Sequence, residues 1–161
     1  MDVDGQKNHL KAYGITYWTL NKGLKVKWLL NYKGGSFLLP DTEAIQRECQ
    51  IRGVSFEVIS NAKAESVLEY IASPSQNMEA VVLEKAPKIA VYTPNGKQPW
   101  DDAVTMVLQY AEIPYETVYD EEVLNDGLLL FDWLHLHHED FTGQFGKFYA
   151  QYRAASWYIQ E

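Results

Sequence analysis

The sequence predicts an α/β protein with a mostly parallel sheet flanked by helices. Three observations predict it. Residues 88–119 read as strand, loop, helix and strand at the length of a βαβ unit, which implies parallel strands. Helix-like and strand-like periodicities alternate through the rest of the chain. The 161 residues are 47% hydrophobic, which excludes a disordered polymer and suffices for one good core or two small lobes.

The elements follow in order. Leu10, Tyr13, Tyr17 and Leu20 recur at helical spacing over residues 8–21, with Asn8 as N-cap and Asn21-Lys22-Gly23 as the stop. Gly14 lies inside this helix at a cost of about 1 kcal/mol relative to alanine. Residues 25–32 read as a strand broken by Lys33-Gly34-Gly35, and 36–40 as a short apolar connector. Asp41 is a suitable N-cap for a helix ending at Gly53. Residues 54–59 alternate apolar and polar side chains, as a half-exposed strand does. Asn61 opens a short helix with Val67, Leu68 and Ile71 on one face. The loop at 73–77 then divides an N-terminal α/β lobe, 1–76, from a second lobe, 77–161, either separate or packed as one domain.

The second lobe carries the clearest unit. Residues 88–93 form a buried-type strand entered through Pro87, and 94–99 form a loop. A helix over 100–112 presents Ala103, Val104, Val107, Leu108 and Ala111 on one face, and 115–119 is the next strand. A short helix is expected near 120–124. The apolar run 128–134 reads as a central strand ending in His135-Leu136-His137-His138-Glu139-Asp140, and 144–153 reads as a helix.

Charge and cysteine content narrow the functions. A formal net charge of −8, with no basic stripe, disfavours nucleic acid and anionic membrane surfaces. The single cysteine, Cys49, excludes an intrachain disulfide and a cysteine-based zinc site. No stretch of 18 apolar residues predicts a membrane span. The chain enters its first helix abruptly after Met1-Asp2-Val3-Asp4-Gly5, as if an upstream strand preceded it.

The strongest candidate site is the strand end at His135. His135, His137 and His138 lie beside Glu139 and Asp140, at the carboxyl end of a strand where α/β sheets bind ligands. Imidazole with carboxylate suits a divalent metal such as zinc, iron or manganese. The spacing approaches the H-x-H-x-D-H signature of metallo-β-lactamase-like hydrolases, with Glu139 and Asp140 standing where that pattern has Asp and His. The plainer alternative is a strand that leaves the core into a polar loop. The loop from Thr93 to Trp100, ahead of a helix N-terminus that favours an anion, is the second candidate, with Thr93, Asn95, Trp100, Asp132 and His135 as ligand-binding residues; the plainer alternative is an ordinary βα loop capped by acids. Asp101 and Asp102 oppose a phosphate there, and neither a dinucleotide nor a P-loop fingerprint is present. Cys49 falls within a predicted helix and lacks the small flanking residues of a nucleophile elbow, so it reads as a small core residue.

Asp2, His9-Leu10-Lys11-Ala12-Tyr13-Gly14, residues 27–37 and the string from Asp132 through Gly143 resemble a family of bacterial proteins labelled asparagine synthetase B. The resemblance spans nearly the whole chain. It implies a class I glutamine amidotransferase-like, flavodoxin-like fold, export to the periplasm, and further segments at both ends. The catalytic motifs behind the label are absent. Residue 2 is Asp, where an asparagine synthetase exposes Cys, and no S-G-G-x-D-S loop occurs. A class I amidotransferase uses an elbow cysteine and a His-x-Glu, whereas His138 and Glu139 are adjacent.

The resulting expectation is an amidotransferase-like module without its own nucleophile, binding a small molecule or the remainder of a longer protein. Two alternatives stand beside it. One is a metal-dependent hydrolase or metal-binding domain centred on residues 135–140. The other is an interaction module using Trp100, Trp157 and Tyr158, with homo-oligomerisation as one form of it.

Overall fold

The computed structural model describes residues 8–93, 102–136, 141–156 and 159. It contains two three-stranded sheets. Helix α1 (His9–Asn21) opens the described chain, and the Asn8 side chain accepts from the Lys11 N–H as its cap. Strands β1 (Val26–Leu30) and β2 (Ser36–Leu38) form an antiparallel pair, with Trp28 opposite Phe37. The intervening turn needs left-handed backbone at Asn31, Lys33, Gly34 and Gly35, which accounts for the two glycines.

Helix α2 (Glu43–Arg52) is capped by Thr42, one residue after the expected Asp41, and ends on Gly53 at φ 67°. Ser60 caps α3 (Asn61–Ala72). Strand β3 (Glu79–Leu83) pairs antiparallel with β1 along its whole length, giving the order β2-β1-β3. The aromatic rings of Tyr13, Trp28 and Phe37 pack together where α1 meets this sheet. Leu29, Val67 and Ile71 form a core cluster with Leu38 and Ala80 where α3 meets it.

The second sheet is parallel. Strand β4 (Ile89–Tyr92) is central, with β5 (Glu116–Val118) on one side and β6 (Trp133–Leu136) on the other. Helix α4 (Ala103–Ala111) joins β4 to β5. The short α5 (Asp120–Leu124) and a 3₁₀ turn (Gly127–Leu130) lead to β6, and α6 (Phe141–Tyr152) follows. Ile89, Ala90 and Val91 are buried, so β4 is covered on both faces, as expected for a parallel strand. Helices α1 and α4 pack against each other and connect the two halves.

The α/β class is therefore present, with one sheet parallel and the other antiparallel where a mostly parallel sheet was expected. Three segments differ from their sequence reading. Residues 36–40 contain a strand, because Ser36–Leu38 finds a partner in β1. Residues 54–59 join neither sheet among the described residues; alternation gives a strand its faces, but the ladder needs a paired neighbour. The apolar run 128–134 begins as a 3₁₀ turn, and Leu129 and Leu130 are 84% and 69% exposed, so the strand starts later, at Trp133. Among the described residues, no helix is long and apolar enough to cross a membrane.

Candidate site at the carboxyl edge of the parallel sheet

The strand order β5-β4-β6 contains a reversal. The chain moves from β4 to β5 in one direction, then passes back across β4 to reach β6. At such a switch point the loops leaving two adjacent strands diverge, and a crevice opens outside their carboxyl ends. Thr93 follows β4 and His135 lies near the end of β6, so both stand at the carboxyl edge of the sheet where that rule places a crevice.

The parallel register pairs Val91 with His135. Thr93 lies two residues beyond Val91, on the same side of the strand, because side chains alternate at each residue. The Thr93 N–H donates to the Val118 carbonyl at 3.0 Å, which holds the end of β4 against β5. Its side chain is 4% exposed, and its Oγ1 is buried without a hydrogen-bond partner among the described residues. A buried hydroxyl left in that state is costly, on the order of 1–3 kcal/mol, and such groups concentrate at functional sites.

Asp102 completes the arrangement. As the N-cap of α4, its Oδ1 accepts from the Val104 N–H at 2.7 Å and the Thr105 N–H at 3.1 Å. The same oxygen lies 3.0 Å from His135 Nε2. The hydroxyl of the buried Thr105 donates to the Asp102 carbonyl and tightens the turn. Burial raises the Asp102 carboxyl. The backbone N–H groups of Thr105 and Val104 and the His135 imidazole outweigh that effect, and its pKa falls below the usual Asp value. A carboxylate so held fixes the orientation of the His135 ring, as the orienting acid does in other Asp–His pairs. On the neighbouring strand end, the Tyr92 hydroxyl donates to Asp120 Oδ1 at 2.5 Å.

The sequence candidates separate accordingly. Thr93 and His135 come to the same sheet edge. Asp132 does not: it stands at the amino end of β6, where it accepts from Lys85 Nζ at 2.7 Å and the Lys88 N–H at 2.8 Å. Those two groups, the lysine first, lower its pKa despite some desolvation. Asp132 is thus a clamp on the entry to β4 and β6, about three residues' rise, or roughly 10 Å, from His135. Asn95, Trp100, His137, His138, Glu139 and Asp140 lie outside the described residues, as do Trp157 and Tyr158. Among the described residues no cluster of three metal-ligating side chains occurs. Cys49 is buried, and burial pushes its thiol upward, with Glu48 adding to the rise and Arg52 opposing it. That environment favours a neutral thiol over a nucleophile.

Asp102 is the site residue that the sequence reading passed over. Its signal was an acid ahead of an apolar helical stripe, which announces a cap and not a partnership with a histidine 33 residues away. No known protein family, curated protein or solved structure matches this chain.

Proposed function

We propose that the chain is a small-molecule-binding α/β module of amidotransferase-like plan, without a nucleophile of its own, whose ligand occupies the carboxyl edge of the parallel sheet. The observation that carries this reading is the His135–Asp102 pair at the same sheet edge as the buried hydroxyl of Thr93, which has no partner among the described residues, at the switch point of the sheet. With Nε2 held by Asp102, His135 has Nδ1 to offer. The Thr93 hydroxyl can both donate and accept. Together they suit a small polar ligand with a carboxylate or a carboxamide. Titration of ¹⁵N-labelled protein with glutamine, glutamate, asparagine and aspartate tests this. The expected result is saturable shifts at the Thr93, Val118 and His135 amides that His135→Ala and Thr93→Val weaken. Silence at all three amides at millimolar concentrations of each compound removes the reading.

One observation favours a metal-binding alternative. Metal-ligating histidines commonly give their second nitrogen to a carboxylate, as His135 gives Nε2 to Asp102. In that case His135 Nδ1 would be a ligand, joined by residues among His137, His138, Glu139 and Asp140. Elemental analysis of untagged protein decides: metal far below one equivalent, unchanged in His137→Ala, ends this alternative.

A further inference from the structure

Asp102 Oδ1 is shared three ways. It accepts from the Val104 N–H at 2.7 Å and the Thr105 N–H at 3.1 Å, and it lies 3.0 Å from His135 Nε2. An ionised carboxylate can only accept hydrogen bonds. The two backbone N–H groups hold Asp102 in that state, and its pKa is lowered accordingly. The hydrogen between Oδ1 and Nε2 therefore belongs to the ring.

A neutral imidazole carries one ring hydrogen. With that hydrogen on Nε2, Nδ1 keeps a lone pair and has nothing to donate. Nδ1 has no hydrogen-bond partner among the described residues, and the His135 side chain is 18% exposed. The Thr93 hydroxyl places no such condition on a ligand, because it both donates and accepts. Thr93 lies two residues past the level of His135, about 6–7 Å along the strand, which is room for one small polar head group. The described polar side chains placed at this edge, Thr93, Asp102, Asp120 and His135, include two acids and no permanent cation.

We propose that Asp102, acting through the ring of His135, determines the specificity of this edge: the ligand presents an N–H or O–H donor to His135 Nδ1, and a carboxylate is rejected there. The proposal rests on the binding reading above and narrows it. A carboxylate at Nδ1 would set acceptor against acceptor, one imidazole away from the Asp102 charge. A hydroxyl, an amide N–H or an ammonium meets the lone pair directly. A ligand with both kinds of group turns its donor to His135 and its acceptor to the Thr93 hydroxyl. Asp102 is a positioning residue in this arrangement: it touches no ligand, and it fixes which ring nitrogen is bare.

The test titrates ¹⁵N-labelled protein at about pH 8.5, where an ordinary histidine is neutral, with butyramide, 1-butanol, butylamine and butyrate. These probes share a short chain and differ in one polar group. The donors should give saturable shifts at the Thr93 and His135 amides, and butyrate should bind at least about tenfold more weakly, the factor expected of one hydrogen bond. Asp102→Ala releases the ring to carry its hydrogen on either nitrogen, so that factor should fall toward one. A merely structural Asp102 would weaken every probe alike; an unchanged factor in Asp102→Ala overturns the proposal. Butyrate binding as tightly as the donors overturns it too and leaves the binding reading standing. The ring offers a readout that needs neither ligand nor variant: its ¹⁵N signals at the same pH should place the hydrogen on Nε2, and a hydrogen on Nδ1 overturns the proposal. Silence of every probe also overturns it, and the amino-acid titration above then shows whether the binding reading falls as well.

Discussion

Gly14 lies directly against the carbonyl oxygen of Ala111: a β-carbon placed on Gly14 would stand 1.8 Å from that oxygen. This contact sets how closely α1 approaches α4. Helix propensity alone says that Gly14→Ala stabilises the protein by about 1 kcal/mol. The contact reverses the sign. The expected outcome is a net loss of about 1–3 kcal/mol, typical of overpacking. At roughly 2–4 °C per kcal/mol for a chain of this size, thermal denaturation will show the drop plainly. An unchanged or higher midpoint would mean that the helices have room to part.

The Asp102 carboxylate serves α4 and His135 together. Asp102→Ala is expected to cost about 0.5–2 kcal/mol from the cap. It also frees the imidazole. In the parent protein above the titration range of histidine, ¹⁵N spectra of the ring should show the proton on Nε2, facing the carboxylate. In Asp102→Ala the two tautomers should mix. A parent ring already in mixed tautomers would count against the pair.

Asp132 and His135 should behave as belonging to different ends of the sheet. Asp132→Ala removes an exposed ion pair with Lys85 and an acceptor for the Lys88 N–H. The expected stability loss is at most about 1 kcal/mol, as for exposed pairs. Ligand-induced shifts at Thr93 and His135 should remain as in the parent protein. Loss of those shifts in Asp132→Ala, with the fold intact, would return Asp132 to the binding site.

Acid should weaken the fold in a definite window. Asp102, Glu112, Asp132 and Glu84 all have pKa values lowered in the folded state. A lowered folded value means that the unfolded chain binds more protons in acid. The stabilisation is therefore complete above the ordinary carboxylate range, near pH 4, and is lost as pH falls through the folded values. Melting curves from pH 7 to pH 3 should show a falling midpoint, less steep in Asp102→Asn. Salt should flatten the exposed Lys25–Glu84 and Lys85–Asp132 contributions more than that of Asp102.

Cys49 should act as a reporter of unfolding. It is 3% exposed among Ile15, Ile45 and Val54, with its thiol pKa raised. Its reaction with a thiol reagent is expected to be slow in the native protein and to track denaturation in urea. Rapid stoichiometric labelling in native buffer would contradict its placement.

Local pattern made much of this fold legible. The helical stripe containing Leu108 and Ala111 and the apolar β4 were readable because each carries its own local pattern, a 3.6-residue period in one and a continuous apolar run in the other. β3 was missed although Ala80-Val81-Val82-Leu83 is a strand-like run, since nothing local says that Glu79–Leu83 will lie beside β1. Residues 54–59 show the converse: a strand-like alternation that joins neither sheet among the described residues. The site divides similarly. His135 announced itself through residue type and position, whereas its link to Asp102 depends on the start of α4 meeting the end of β6. Asp132, only three positions away in sequence, is removed from the site by the length of a strand.

The two sheets share no strand, and α1 against α4 is the main surface through which one half feels the other. A chain built this way has an adjustable degree of all-or-none behaviour. With the Gly14–Ala111 contact intact, hydrogen exchange should report a single cooperative unit. As that contact is loosened, the parallel sheet and the antiparallel sheet should begin to open independently, each with its own free energy. A glycine in one helix would then decide whether the molecule melts as one body or as two.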